Sequence, residues 1–180
     1  ASEFQINAPV VHWTTPREKM WAETKTGEIQ NLNLRGRIFR NAERIVVENF
    51  SGNLDRGSFK LSGEAKRGAV GKSKDAYAIK ARGAVKGPIS VDSVLTFWPP
   101  PVARGAREWV GQSIKAGDIT SATLDANISA AAIADKRVPD SALNLKFAFE
   151  QGAMVPYEGG FLIEGARGSA RLGGDSFRLN

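Results

Sequence analysis

The stretch Phe97–Trp98–Pro99–Pro100–Pro101–Val102–Ala103–Arg104–Gly105–Ala106–Arg107–Glu108–Trp109–Val110–Gly111–Gln112–Ser113–Ile114–Lys115–Ala116–Gly117 decides the reading of this chain. Its prolines lack an N–H and hold their predecessors extended, so they stop the preceding strand. Proline is tolerated in a first helical turn, which predicts a helix over about 101–116. Val102, Ala106, Trp109, Val110, Ser113 and Ile114 recur at helical spacing and form its packing face. Arg104, Arg107, Glu108, Gln112 and Lys115 fall mainly on the other side, and Gly117 closes the helix.

Outward from this helix the chain reads as strand after strand. Upstream, Phe4, Ile6 and Ala8 alternate with polar neighbours, as do Leu32, Leu34, Gly36 and Ile38. A short strand is expected over Lys19–Glu23, and another over Glu43–Phe50. Ser51–Gly52 reads as a bulge or turn, with Leu54 to Leu61 as the hairpin partner. Tyr77, Ile79, Ala81 and Val85 alternate with Lys80, Arg82 and Lys86. Gly87–Pro88 then turns the chain, and Ile89, Val91, Leu95 and Phe97 continue the strand pattern. Downstream, Ala122, Leu124, Ala126 and Ile128 oppose Thr123, Asp125 and Asn127. Leu143, Leu145, Phe147 and Phe149 do the same after a connection at 130–139 that has room for one helical turn. Gln151–Gly152 and Glu158–Gly160 read as turns. The segment from Ser51 to Leu61 is echoed between Arg167 and Leu179, as in an array built by repetition.

The expected architecture is mainly β: an antiparallel, strongly curved sheet of long strands, an open groove or half-barrel, with one amphipathic helix packed across it. A single helix is too little to cover the apolar face of roughly ten strands of ordinary length. The sheet therefore either folds on itself as a barrel or sandwich, or stays partly open and holds something apolar.

The 180 residues contain one histidine and no cysteine, which excludes disulfides, thiolate metal sites and cysteine nucleophiles. Hydrophobic residues make up 42%, enough for a core, and no apolar run reaches the ~18 residues of a membrane span. The chain opens on Ala1–Ser2–Glu3 with no signal peptide and no initiator Met, which predicts an excised piece of a longer protein. The net charge of +6 is spread along the chain, without the arginine-rich arm of many nucleic-acid binders. Gly68–Ala69–Val70–Gly71–Lys72–Ser73 ends like a phosphate-binding loop, but Lys66 stands where the first glycine is required. His12, alone beside Trp13, fits a structural role, and the carboxylates show no acid–base pairing. No catalytic set, metal site or cofactor site is expected, and the chain reads as a non-enzyme.

Phe97–Trp98–Pro99, Ala103 to Val110 and Ile114 to Leu124 together resemble the hallmark segment of the AsmA-like family of Gram-negative envelope proteins, in its YhdP-type subfamily. There a Trp–Pro strand end leads to an Ala–Arg–x–Trp helix and then a Gly-led strand. The tail from Pro156 to Leu179 is similar to that family's next stretch, where a Gly–Asp–x–Phe–x–Leu strand follows a Gly-led one. The resemblance implies one β-rich segment, residues 1–180, of a longer repeated β-groove in the periplasm, the full-length protein being anchored in the inner membrane. It implies transport of phospholipid between inner and outer membranes, with acyl chains as the partner and no catalytic residues to carry over.

In such a groove Ile79, Leu95, Phe97, Leu124, Ile128, Leu143, Leu145, Phe147 and Phe149 would line the interior, and the helix would act as plug, lid or, preferably, brace. The alternative is a structural or interaction module of the envelope that docks other envelope proteins, or neighbouring repeats of its own chain, by strand addition. Nucleic acid is the weakest of the partners considered.

Overall fold

A computed structural model describes residues 1–14, 26–70, 74–98, 104–135, 137–157, 159–174 and 176–180, without the side chains of 69, 70, 74, 75, 104 and 106. The expected strand at 19–23 and residues 71–73 of the 68–73 loop motif lie outside these residues, while 68–70 are strand and not loop. Nine strands form among them: β1 (Ser2–Thr14), β2 (Thr26–Ile38), β3 (Arg44–Leu54), β4 (Gly57–Val70), β5 (Lys74–Ser90), β6 (Ile114–Ile128), β7 (Leu143–Met154), β8 (Ile163–Leu172) and β9 (Phe177–Leu179). Three short helices accompany them: α1 (Val91–Phe97), α2 (Arg104–Ser113) and α3 (Ala130–Ala134).

The protein is mainly β. Its strands make one antiparallel sheet in the order β1 to β9, each beside its neighbour in sequence, and β9 does not return to β1. Register explains why the alternation was so regular. Phe59, Leu61 and Ala65 of β4 sit opposite Val85, Gly83 and Ile79 of β5. Those oppose Ala122, Leu124 and Ile128 of β6, and Ala122 and Leu124 oppose Phe147 and Leu145 of β7. One face is therefore apolar from strand to strand, while Lys60, Arg82, Asp125 and Lys146 share the other. Pro9 and Asn31 interrupt this pattern together. Asn31 has φ 53°, and beyond it Ile29, Val11 and Trp13 occupy the apolar face while Val10 is exposed on the polar one.

The segment between β5 and β6 lies on the apolar face. Ser90 caps α1 by accepting the Ser93 N–H, and Asp55 in the β3–β4 turn accepts hydrogen bonds from Ser90 N and Ser93 Oγ at 2.8 Å each. Ile29, Leu54 and Ile89 form one core cluster beneath α1, joined by Phe59, Val85, Val94 and Phe97. Ala126, Leu143 and Leu172 form a second, joined by Trp98 and Leu145. Trp109 of α2 reaches β9, its ring 5.3 Å from that of Phe177. The sheet curls around these helices as a trough, apolar inside and polar outside. The α3 helix packs on β4 and β5 from the polar side, where Gly68 leaves room: a Cβ there would lie 2.8 Å from the Ala130 Cβ.

Several local expectations need correction. Val91, Leu95 and Phe97 belong to α1 and not to a strand. The α2 helix ends at Ser113, so Ile114 and Lys115 begin β6, and Gly117 (φ 142°) is a strand irregularity beside Gly152 and not a helix stop. Arg107, assigned to the solvent side, is 3% exposed. It donates from Nε to the Trp98 carbonyl (3.0 Å) and from Nη2 to the Leu95 carbonyl (3.4 Å), and so satisfies the end of α1. Ser51–Gly52 stays paired inside β3, and the chain reverses at Asp55–Arg56. Gly87–Pro88, a cis peptide, lies within β5, where a Cβ on Gly87 would collide with the Ile119 carbonyl. Gln151–Gly152 is likewise a kink inside β7, with φ 53° at Gln151. The echoed segments 51–61 and 167–179 both form hairpins, β3–β4 and β8–β9.

Candidate functional site

The site the fold offers is the inside of the trough. The structure brings Ile79, Leu124, Ile128, Leu143, Leu145, Phe147 and Phe149 onto that one face. Their surroundings differ. Leu143 is packed in the core with Leu172 and Ala126, whereas Ile79 is 36% exposed. Leu95 and Phe97 come from α1 and lie over the trough: Leu95 is buried, and Phe97 packs against Trp13 and Gly27. Of the residues assigned to helix packing, Trp109 and Val110 are half-buried on α2. Val102 lies outside the described residues, as does the side chain of Ala106, and Ile114 belongs to β6.

The helices cover the end of the trough near Trp13, Leu54 and Ile89. Toward the opposite ends of β1 to β5 the apolar face stays open: Ile6 is 49% exposed and Ile38 41%, with Ile79 beside them. Register lines Ser2, Ile38, Ile45, Ala65, Ile79 and Ile128 into one row across six strands. The next row holds Phe4, Gly36, Val47, Gly63 and Ala81, a band of mostly small residues behind the isoleucines. The residues read from the sequence as this face come from β5 to β7 and α1, and leave out its continuation on β1 to β4. The signal was present in the alternation of Leu32, Leu34, Gly36 and Ile38, which carries the same face.

One end of the open stretch is barred by an aromatic. Tyr77, opposite Arg67 in the β4–β5 register, reaches across β4 and donates its hydroxyl to the Ala42 carbonyl at 2.8 Å. The Arg67 guanidinium stacks over the Tyr77 ring, 5.8 Å from its centroid, and its backbone N–H bonds the Glu43 carbonyl. Arg67 follows Leu61, Gly63 and Ala65 at even spacing and so shares their face. Among the described side chains of β1 to β5 it is the one charged residue in the apolar register. No group of His, Asp and Glu able to hold a metal ion occurs among the described residues. None of their helices is long and apolar enough to cross a membrane.

Comparison of the chain with protein-family models, with curated proteins and with solved structures finds no match.

Proposed function

We propose that the trough is a binding surface for lipid acyl chains. The observation that carries this reading is the exposure of Ile6, Ile38 and Ile79 on the inner face of a sheet that does not close. Apolar surface held in water is unfavourable by about 25 cal/mol per Å², and a flexible alkyl chain relieves that cost without needing fixed partners. The apolar face that stays open on β1 to β5 also suits a ligand that slides. The resemblance to AsmA-like proteins extends the reading to a segment of a periplasmic conduit that carries phospholipid between the inner and outer membranes.

The test is a photocrosslinking residue at Ile79, with Lys80 on the opposite face as control, in the full-length protein in cells. Phospholipid adducts at Ile79 and none at Lys80 are the expected result. Crosslinks at Ile79 that stay within the protein chain would overturn the proposal. A second reading, docking by strand addition, draws on the outer edge of β1, a thirteen-residue strand with β2 as its one sheet neighbour among the described residues. A probe at Gln5 that captures one discrete protein would favour it.

A further inference from the structure

We infer that the outer face of the sheet carries a docking surface for an acidic peptide segment of another protein, independent of what fills the trough. Its core is the row Lys146, Arg171 and Arg178, which stand directly opposite one another on β7, β8 and β9. Register continues the row through Thr123 and Ala84 to Lys60 on β4. All four basic residues are exposed. Residues directly opposite on antiparallel strands have Cβ atoms about 4.5–5.5 Å apart, and like charges so placed repel.

Elsewhere on the outer face arginines are matched to carboxylates. Arg35 and Arg37 pair with Glu48 at 3.1 and 2.8 Å, Arg44 with Glu64 at 2.9 Å, and Arg82 with Asp125 at 3.2 Å. Lys146, Arg171 and Arg178 have no carboxylate within ion-pair distance among the described residues. Beside their row lies a shelf of small side chains, Ser121, Ala148 and Ser169, with Lys86 at its far end. The shelf leaves a narrow chain room to lie along the cations, across the strands. Neither row holds an aromatic ring on which a nucleic-acid base could stack. A flat membrane could meet only part of a row that follows the curl of the sheet. An extended run of Asp and Glu follows it, offering each guanidinium two carboxylate oxygens and relieving the repulsion between neighbouring cations.

The experiment follows binding of fluorescein-labelled deca-glutamate to the purified protein by fluorescence anisotropy at physiological salt, with a labelled deoxythymidine decamer and phosphatidylglycerol vesicles as comparisons. The wild type should bind deca-glutamate more tightly than either. Lys146→Gln, Arg171→Gln and Arg178→Gln combined should weaken deca-glutamate binding at least about tenfold, the scale of three exposed ion pairs. Lys66→Gln with Lys80→Gln, at the end of the face beside Glu64, should leave it unchanged. Arg171→Gln alone should keep or raise the urea midpoint, because it removes a repelled charge. No binding of deca-glutamate, an affinity that survives the combined substitution, or tighter binding of the decamer or the vesicles would overturn the proposal. A urea midpoint lowered by Arg171→Gln would overturn it as well, since the row would then serve the fold.

Discussion

Phe97 and Trp98 are adjacent in the chain and pack on opposite walls of the sheet. Phe97 meets β1 and β2 at Trp13 and Gly27, and Trp98 enters the cluster of β6, β7 and β8. In a flat sheet β2 and β7 would stand five strand spacings, roughly 24 Å, apart. The curl brings both walls within reach of two consecutive side chains, which hold the trough at its covered end.

Covered and open ends should therefore respond differently to truncation. Leu95→Ala removes a buried side chain from α1 and should cost about 2–5 kcal/mol. Ile38→Ala, at an exposed position, should cost less than about 1 kcal/mol. Urea unfolding of both variants checks this, and equal losses would show that the open row is as well packed as the core.

Arg107 links the two helices through the carbonyls of Leu95 and Trp98. Arg107→Met keeps much of the apolar stem but leaves buried carbonyl oxygens without these donors, which should cost about 1–3 kcal/mol. Chemical denaturation measures it. A variant as stable as the wild type would mean that these hydrogen bonds do not fasten α1 to α2.

Gly36 sits on β2 where a Cβ would collide with the Val46 carbonyl oxygen and lie 2.6 Å from the Phe4 ring. Phe4 has filled the space that the missing side chain leaves. Gly36→Ala should destabilise by about 1–3 kcal/mol, as overpacking does, and should displace Phe4. The melting temperature reads the first effect, and the Phe4 ring resonances read the second.

Glu64 carries the pH dependence that the fold makes explicit. Arg44 donates Nε and Nη2 to its two carboxylate oxygens at 2.9 and 3.0 Å. This hydrogen bonding, aided by the positive charges of Arg44, Lys80 and Lys66, outweighs desolvation and holds the carboxyl below its ordinary value of 4.5. A folded-state pKa below the unfolded one adds stability that is present above about pH 4.5 and is lost as pH falls through the folded value. An NMR titration should place Glu64 below 4.5, and Arg44→Met should raise it. Glu64→Gln should flatten the acid limb of the stability profile. High salt should weaken the effect, because the pair is accessible to water.

The strands were legible because each has one wet face and one dry face, and period-two alternation is the direct trace of that. The α1 helix was not, since Ile89, Val91, Leu95 and Phe97 satisfy a strand pattern as well as a helical one. What distinguished it was the Ser90 cap with Ser93 three residues on. Glycine misled in both directions: Gly52 and Gly87 permit close approach of neighbouring chain inside strands, whereas the β3–β4 reversal falls on Asp55–Arg56. Arg107 reads as a surface residue on charge alone, because the carbonyls that receive it belong to another helix.

The strand order has a consequence for how the molecule assembles. Every strand pairs with the one made just before it, so synthesis from the N-terminus lets each hairpin close before the next strand emerges. Contacts that span short stretches of chain close quickly, and no strand has to be threaded between two already in place. The exception is the α1–α2 segment, which must turn back onto a wall laid down earlier and wait for β6 to β9 to complete the other. Until they arrive, Phe97 has its wall and Trp98 does not. The second half of the trough is thus expected to mature later than the first, a delay that pulsed hydrogen exchange on Leu32 and Leu145 can time.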